Sequence, residues 1–416
     1  MILLGWSVYR DEVIPLAEAR TRVLDLCPPQ EISEVPLAEA LGCVTGEAIV
    51  ASQAVPAFAN TAMDGYAVRS ADTTAAPVRL TVVGTLSAGS TPPDQPLASG
   101  EALRIMTGAP MPAGADAVVM VERTQVDEGG TTVTIQVPAQ PGDHVRLAGE
   151  DVRVGQEVFA AHTRLAPGHL GVLASLGLAE VAAFPRVRVG VLSTGDELVE
   201  GSGQLRPGQI YDSNRPTLLA LLVASGFEAV DLGIARDAEE TITDAIEAGI
   251  AGCDALVTSG GVSMGDFDWV KTVLNRLSGD EMGWMQVAIR PAKPLAFGVV
   301  EGVPVFGLPG NPVSSMVSFE LFTRPALRQM TGHLDLDRLH VSAVADEGLR
   351  RQPDGKLHLV RVTAEPGADG RFHVRSSGAQ GSHQLLAMAR ANALALLPDG
   401  DGVQAGGQVW TMLLDG

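Results

Sequence analysis

Ala255-Leu256-Val257-Thr258-Ser259-Gly260-Gly261-Val262-Ser263-Met264-Gly265-Asp266-Phe267-Asp268 is the stretch on which the fold turns. A short apolar run leads into glycines and then into Trp269-Val270-Lys271-Thr272-Val273-Leu274. That order predicts a buried strand, a glycine turn and the start of a helix. Three glycines let the backbone turn tightly and approach a ligand with no Cβ in the way. Backbone N–H groups at such a turn and at a helix N-terminus cradle anions. Two aspartates in the same place suit a hard cation such as Mg2+. An ordinary strand-to-helix turn capped by Asp266 would explain the same residues without any ligand.

Working outward, residues 186–330 alternate strand and helix. Val187-Arg188-Val189-Gly190-Val191-Leu192 reads as an apolar strand, 216–224 as an apolar helix and 228–234 as a strand. Asp237-Ala238-Glu239-Glu240 reads as a capping-box variant with Asp237 at the N-cap and Glu240 at N3. Val303 to Leu308 is a later strand, leading into a helix that reaches about Met330. Several βα units in series predict an α/β domain with a doubly wound, mostly parallel sheet. Ligands of such sheets bind beyond the carboxyl ends of the strands.

Before this domain, residues 14–27 read as an amphipathic helix stopped by Pro28-Pro29, and Leu37 to Leu41 as a second short helix. From 51 to 145, β-branched runs such as Val78 to Val83 and Thr131 to Val137 predict an inserted β-rich domain. From about 336 the pattern is β again. His340 to Val344, Lys356 to Thr363, Phe372 to Val374 and Val409 to Leu414 are expected strands. Asp354-Gly355 and Asp369-Gly370 are expected hairpin-type turns. The chain therefore reads as α/β plus β, multidomain, with a C-terminal β-barrel or sandwich.

Its 416 residues allow roughly two to four domains. Aromatics are only 4%, so Val, Leu, Ala and Ile must fill the cores. The net charge of −20 argues against non-specific nucleic-acid binding, which needs a basic face. Cys27, Cys43 and Cys253 have no metal-ligand or disulfide spacing. The first residues, Met1-Ile2-Leu3-Leu4-Gly5, are too short for a signal segment, and no stretch approaches ~20 apolar residues. A cytoplasmic protein without a membrane span is expected.

Further residues carry chemistry. Ser193-Thr194-Gly195-Asp196-Glu197-Leu198 follows a strand, and Glu197 is a metal- or proton-handling carboxylate unless it is a solvated loop acid. In Leu308-Pro309-Gly310-Asn311-Pro312-Val313-Ser314-Ser315, Asn311 can cap and Pro312 suits the first helical position. A plain capped helix does not explain Ser314 and Ser315, whose hydroxyls lie near the positive end of the helix dipole. Arg290-Pro291-Ala292-Lys293-Pro294 holds two cations between prolines, fit for oxyanions or for pairing with surface acids. Asp64 before Gly65, Thr107 and Asp151 each read equally well as turn residues. There is no P-loop and no GxGxxG opening a βαβ unit. Together these residues suggest phosphoryl or nucleotide-linked chemistry.

In order, the motifs resemble the molybdopterin molybdenumtransferase family, the bacterial MoeA type related to the gephyrin E domain. The matching pieces are Asn60 to Val68, Arg104 to Pro112, Gly149-Glu150-Asp151, Ser193 to Leu198, Tyr211 to Asn214, Ser259 to Asp268, Pro291 to Gly298 and Gly307 to Ser315. Ser376-Ser377-Gly378-Ala379-Gln380-Gly381-Ser382 is similar too. The resemblance implies Mg2+-dependent insertion of molybdate into adenylylated molybdopterin, with AMP released and molybdenum cofactor formed. It implies a homodimer and four parts: 7–50 with 146–182, 51–145, 183–331 and 332–416.

By the same resemblance, Asp64, Thr107, Asp151, Glu197, Asp237 and Asp268 act in catalysis, and Asp64, Glu197 and Asp268 hold metal. Substrate falls to Ser259, Gly260, Gly261, Ser263, Gly265, Arg290, Lys293, Pro309, Gly310, Asn311, Pro312, Ser314 and Ser315. One departure stands out: the family often has Lys-Pro-Gly-Lys-Pro where this chain has Arg290-Pro291-Ala292-Lys293-Pro294. Two other readings remain open, a molybdopterin adenylyltransferase and a non-catalytic scaffold of the same fold.

Overall fold

The computed structural model describes residues 13–261 and 269–414. The chain forms two compact units. One contains residues up to Ser33, Gly42–Val44 and everything from Ala183 onward; the other contains Glu34–Leu41 and Thr45–Ala182.

A seven-stranded sheet organises the first unit. Its order is Val13–Ile14, Gly283–Val287, Pro294–Val300, Val303–Leu308, Ala255–Ser259, Arg188–Thr194 and Glu228–Ala235. The last four strands run parallel to one another. Pro294–Val300 is antiparallel to both neighbours, so the sheet is mixed and parallel only on one side. The cause is local. Val300 and Val303 are joined by Glu301-Gly302 alone, with φ of 51° and 84°. Two residues with positive φ make the tight turn that matches strand twist in a hairpin.

The parallel strands bury both faces, as their unbroken apolar runs require. Val189, Val191, Ala255 and Val257 pack with Leu218 and Leu222 of helix Asn214–Ala224. The alternate residues Leu192 and Leu256 pack with Ile242 and Ile246 of helix Glu239–Gly252 and with Val270, Val273 and Leu274 of helix Trp269–Leu277. The layer is therefore doubly wound. Each fully buried Val, Leu or Ile contributes about 1.5–3 kcal/mol relative to exposure. The helix that follows Val303–Leu308 runs Pro312–Ser318, through a π-helical turn at Phe319–Thr323, to Arg324–Met330.

Beyond it, His340–Ala345, Leu357–Pro366, Phe372–Ser376, Ala393–Leu397 and Gln408–Leu413 close into a five-stranded barrel. Ala343, Val362, Val374, Ala395 and Val409 fill it. Ile289–Arg290 adds to this sheet, parallel to Leu357 and His358. Asp369-Gly370 lies in the hairpin between two paired barrel strands, as expected. Asp354-Gly355 does not: Leu349–Arg350 before it pairs with Gly402–Val403 instead.

The second unit holds a six-stranded sheet in the order Thr124–Val126, Thr132–Ile135, Val78–Leu86, Glu101–Ile105, Gly65–Val68 and Ala117–Met120. The helix expected at Leu37 to Leu41 is absent. Ser33–Pro36 is a strand, and the chain turns directly after it, with Glu39 N–H donating to the Pro36 carbonyl. Five residues give too few hydrogen bonds to offset helix nucleation. No helix among the described residues is long and apolar enough to cross a membrane.

Candidate functional site

The carboxyl ends of the parallel strands gather polar groups where the sequence placed them. Gly260 and Gly261 have φ of 93° and 69°, in the left-handed region. A Cβ on Gly261 would lie 2.4 Å from the Val270 side chain, so the turn needs glycine for space as well as for φ. Gly260 N–H donates to the Leu308 carbonyl at 3.1 Å. A Cβ built on Gly310 would stand 3.9 Å from the Gly260 Cα, so the two glycine turns face each other.

Asn214 clips them together, its Nδ2 donating to Ser259 Oγ at 2.7 Å and to the Gly310 carbonyl at 2.8 Å. Asn214 is held in turn by its neighbours. Asp212 Oδ1 accepts from the N–H groups of Asn214 and Arg215, and the buried Arg215 guanidinium pairs with Asp212, Glu200 and Asp231. The sequence showed Asn214 only as part of a motif. Its role needed the turns to be brought together.

Ser193 Oγ, Thr258 Oγ1, Asn214 Oδ1 and Ser315 Oγ are buried with no hydrogen-bond partner among the described residues. Unpaired buried polar atoms are costly, and four of them at adjacent strand and helix ends form a polar lining that suits a ligand. Asn311 occupies the N-cap position and Pro312 the first helical one, as expected, but Asn311 makes no side-chain capping bond. Ser314 and Ser315 are both buried. Ser263, Gly265, Asp268 and the suggested Asp266 cap lie outside the described residues.

The acids separate into distinct environments. Glu197 is exposed, and its carboxylate folds over Gly195: a Cβ there would lie 2.4 Å from Glu197 Oε2. Asp237 is not the helix cap. Ala238 takes that position without a side-chain bond, and Asp237 N–H donates to Asp196 Oδ1 at 3.2 Å. The expected cap is not met because the helix begins at Glu239, one residue later than the acid pattern suggests, which puts Ala238 and not Asp237 at the N-cap.

In the other unit, Thr107 donates to Asp64 Oδ1 through both its hydroxyl, at 2.6 Å, and its backbone N–H, at 2.7 Å. These bonds, hydroxyl first, hold the Asp64 carboxyl below the usual carboxylate range. Both fall on one oxygen. Asp151 is exposed in a loop where its N–H donates to the Val55 carbonyl. Among the described residues no group of three or more His, Cys, Asp or Glu comes together to hold a metal ion.

The cationic segment is built into an interface within the first unit. Because Ile289–Arg290 pairs with the barrel strand, Arg290 lines a cleft of about 490 Å3 together with Arg350, Arg351, His358, Ser376 and Gln380. Arg351 is committed to Asp354 and Asp399. Arg290, Lys293 and Arg350 make no ion pair among the described residues, so the expected alternative of pairing with surface acids is not met there. Ala292 has φ of 74°. A residue with a Cβ thus sits where a glycine would be unstrained, at a cost of about 1–2 kcal/mol. Arg350 and His358 escaped the sequence reading as site residues, and Ser376 and Gln380 entered it only within the 376–382 motif, because barrel closure alone brings them to this segment. The adjacent pair Arg350-Arg351 in so acidic a chain was the available signal.

A doubly wound α/β layer with polar strand ends packs in one unit with a C-terminal barrel, and a cleft lined by three arginines lies where they meet. Family models match nearly all of the described chain. The MoeA N-terminal region (domain I and II) covers residues 14–177, the probable molybdopterin binding domain 190–329, and the MoeA C-terminal region (domain IV) 344–414. Molybdopterin molybdenumtransferase of Haemophilus influenzae is 38% identical over 96% of this chain and 98% of its own. Molybdopterin molybdenumtransferase 2 of Mycobacterium tuberculosis is 41% identical over 91% of this chain and 94% of its own. A crystal structure of the molybdopterin biosynthesis MoeA protein from Pyrococcus horikosii superposes with a TM-score of 0.77 at 32% identity, covering 97% of this chain and all of that one. The chain belongs to the molybdopterin molybdenumtransferase family.

Proposed function

We propose that this protein inserts molybdate into adenylylated molybdopterin, releasing AMP and forming the molybdenum cofactor. The observation that carries the reading is the pairing of two anion-suited features in one unit. One is the face-to-face glycine turns with their unpaired hydroxyls; the other is the cleft lined by Arg290 and Arg350. The first suits the phosphates of a nucleotide-bearing pterin through backbone N–H groups and Ser259, Ser314 and Ser315. The second suits a tetrahedral dianion, which Arg290 would grip as a fork; Lys293, three residues on and not part of the cleft lining, is proposed as a further point charge of the same segment.

Asp64, Thr107, Asp151, Glu197, Asp237 and Asp268 are proposed as the catalytic set. Thr107 bonds the charged form of Asp64 and holds its carboxyl below the usual carboxylate range, so Asp64 accepts but does not donate. The described residues do not fit a protein-only Mg2+ site. Mg2+ commonly takes one or two carboxylates and completes its shell with substrate phosphates and water. Asp64, Glu197 and Asp268 are the proposed carboxylates for it. When bound, the ion would neutralise charge between acids and anionic substrate. A homodimer, a cytoplasmic setting and the four-part division 7–50 with 146–182, 51–145, 183–331 and 332–416 complete the proposal.

Glu197→Gln is the test of the acids. AMP release should fall at least tenfold with the thermal midpoint unchanged; unchanged release would remove Glu197 from the set. Size-exclusion chromatography with light scattering, giving twice the 43.2 kDa chain mass or not, tests the dimer.

A further inference from the structure

A second cavity, of about 450 Å3, opens on the outer face of the barrel, and none of its lining residues belongs to the site described above. Its polar lining is Asp346, Thr363, Glu365, Asp369, His373 and Arg375. The strands put them there. Val362, Ala364 and Val374 fill the barrel, so the alternate residues Thr363, Glu365, His373 and Arg375 point outward. Strand Phe372–Ser376 has a neighbour on each side. Glu365 is the cross-strand partner of His373 in one; in the other Ala345 partners Val374, which sets Asp346 beside it.

Both ring nitrogens of His373 meet carboxylates. Nδ1 lies 2.6 Å from Asp346 Oδ1, and Nε2 lies 3.2 Å from Asp369 Oδ1 in the turn that joins Leu357–Pro366 to Phe372–Ser376. Gly367 makes room for the ring: a Cβ there would stand 2.5 Å from His373 Cδ2 and 2.9 Å from Asp369 Oδ1. Gly367 is not among the residues with positive φ, so space and not backbone conformation calls for glycine.

The charged groups around the imidazole come from every element packed against it. Asp346 and Glu347 follow His340–Ala345, Glu365 lies on Leu357–Pro366, Asp369 and Arg371 lie in the turn, and Arg375 shares the strand of His373. Arg375 Nε is committed to Asp346 Oδ2 at 2.8 Å and Arg371 Nε to Asp369 Oδ2 at 2.7 Å. Four carboxylates thus face two guanidiniums, and the ring supplies a third cation when protonated. An imidazolium donates from both nitrogens, whereas a neutral ring donates from one only. The bonds to Asp346 and then Asp369 accordingly raise the His373 pKa.

We infer that His373 is the pin of a pH-sensitive clasp on the 366–372 hairpin. Charged, it ties the hairpin to the end of His340–Ala345 across the cavity. Neutral, it keeps the shorter bond to Asp346, and its Nε2 lone pair then faces Asp369 Oδ1, so the turn is released and the cavity opens. The clasp is closed below the ordinary histidine value of 6.5 and opens as pH rises through the raised one. It is independent of how the anion sites are read.

Millisecond hydrogen exchange on the full chain, corrected for the intrinsic rate at each pH, reads the turn through the amides of Gly367 and Gly370. These donate to the Arg371 and Gly367 carbonyls. The His373 Cε1–H resonance follows the ring under the same conditions. Between about pH 5.5 and about pH 9, protection of the turn should fall about tenfold, with the midpoint of the His373 titration. His373→Gln should show the low protection at every pH. Gly367→Ala, which keeps all the charges and displaces the ring, should show it already at acid pH. Asp369→Asn should bring the His373 midpoint down toward 6.5. Protection that stays constant through the His373 titration, or a fall of the same size and midpoint in His373→Gln, would overturn the inference. So would a His373 midpoint that Asp369→Asn leaves unmoved, or parent-like protection in Gly367→Ala.

Discussion

The Asp212–Arg215 corner of the α/β layer and the Arg361 strand of the barrel each bury a guanidinium, and they treat it in opposite ways. Arg215 spreads its donors over three carboxylates, at 2.8 Å to Glu200, at 3.1 Å to Asp212, and to Asp231. Burial opposes its charge, but the bonds to Glu200, Asp231 and Asp212 outweigh that and raise its pKa. Arg361 has one carbonyl and, among the described residues, no carboxylate. The satisfied arginine anchors Asn214, which holds the glycine turns together. The unsatisfied one is retained at a cost to the fold, beside a cleft that gathers cations in a chain of net charge −20. A buried charge that is fully paired speaks for architecture, and one left unpaired near a cavity speaks for a ligand.

Breaking the satisfied corner should have the largest effect. Arg215→Met leaves Asp212, whose side chain is only 2% exposed, without its counter-charge. We expect a loss of about 3–5 kcal/mol in chemical denaturation; a loss under about 1 kcal/mol would show the corner to be ordinary surface pairing. Asn214→Leu removes two donated bonds and should cost about 2 kcal/mol. Substrate affinity should fall with it, because the turns at Gly260 and Gly310 lose their clip. On the barrel side, Ser377→Ala cuts the hydroxyl bonds to the Arg361 and Ala387 carbonyls. Its cost should be about 1 kcal/mol, which sets the scale for a purely structural change next to Arg361.

The smallest effect concerns pH. On the barrel surface, His373 lies between Asp346 and Asp369. Bonds to Asp346 first, then Asp369, raise the His373 pKa, while the Arg371 backbone N–H and side chain, with His373, lower Asp369 to about 2. The contribution of Asp369 is therefore present above its ordinary value of 3.8 and is lost as pH falls toward about 2. That of His373 is present below its ordinary value of 6.5 and is lost as pH rises through its raised one. Denaturation midpoints of His373→Gln against the parent protein should converge above that raised value. A gap that stays constant from acid to alkaline pH would contradict the sign.

The sequence carried the βα alternation clearly, because unbroken runs such as Val187 to Leu192 have one stable home, a strand buried on both faces. It also carried four of the five barrel strands, Ala393–Leu397 being the one it missed, and the turn at Gly260-Gly261. It did not reveal that Pro294–Val300 runs antiparallel, since that depends on the φ values of Glu301 and Gly302. Nor did it show that Asp354-Gly355 joins no paired strands, which depends on a distant partner at Gly402–Val403. In the candidate site, Arg290 was legible from its charge and its prolines. Arg350, Asn214 and Arg361 were not, because each acts with residues at least 18 positions away. Asp237 looked like a cap because Asp before two acids is a common helix start. Here the helix starts one residue later and Ala238 holds that place.

AMP release tests the central claim most directly. Purified protein would be incubated with Mg2+ and molybdate plus either adenylylated molybdopterin without ATP or free molybdopterin with ATP. The account predicts stoichiometric AMP that depends on molybdate. Consumption of ATP with free molybdopterin, and no AMP from the adenylylated form, would contradict it.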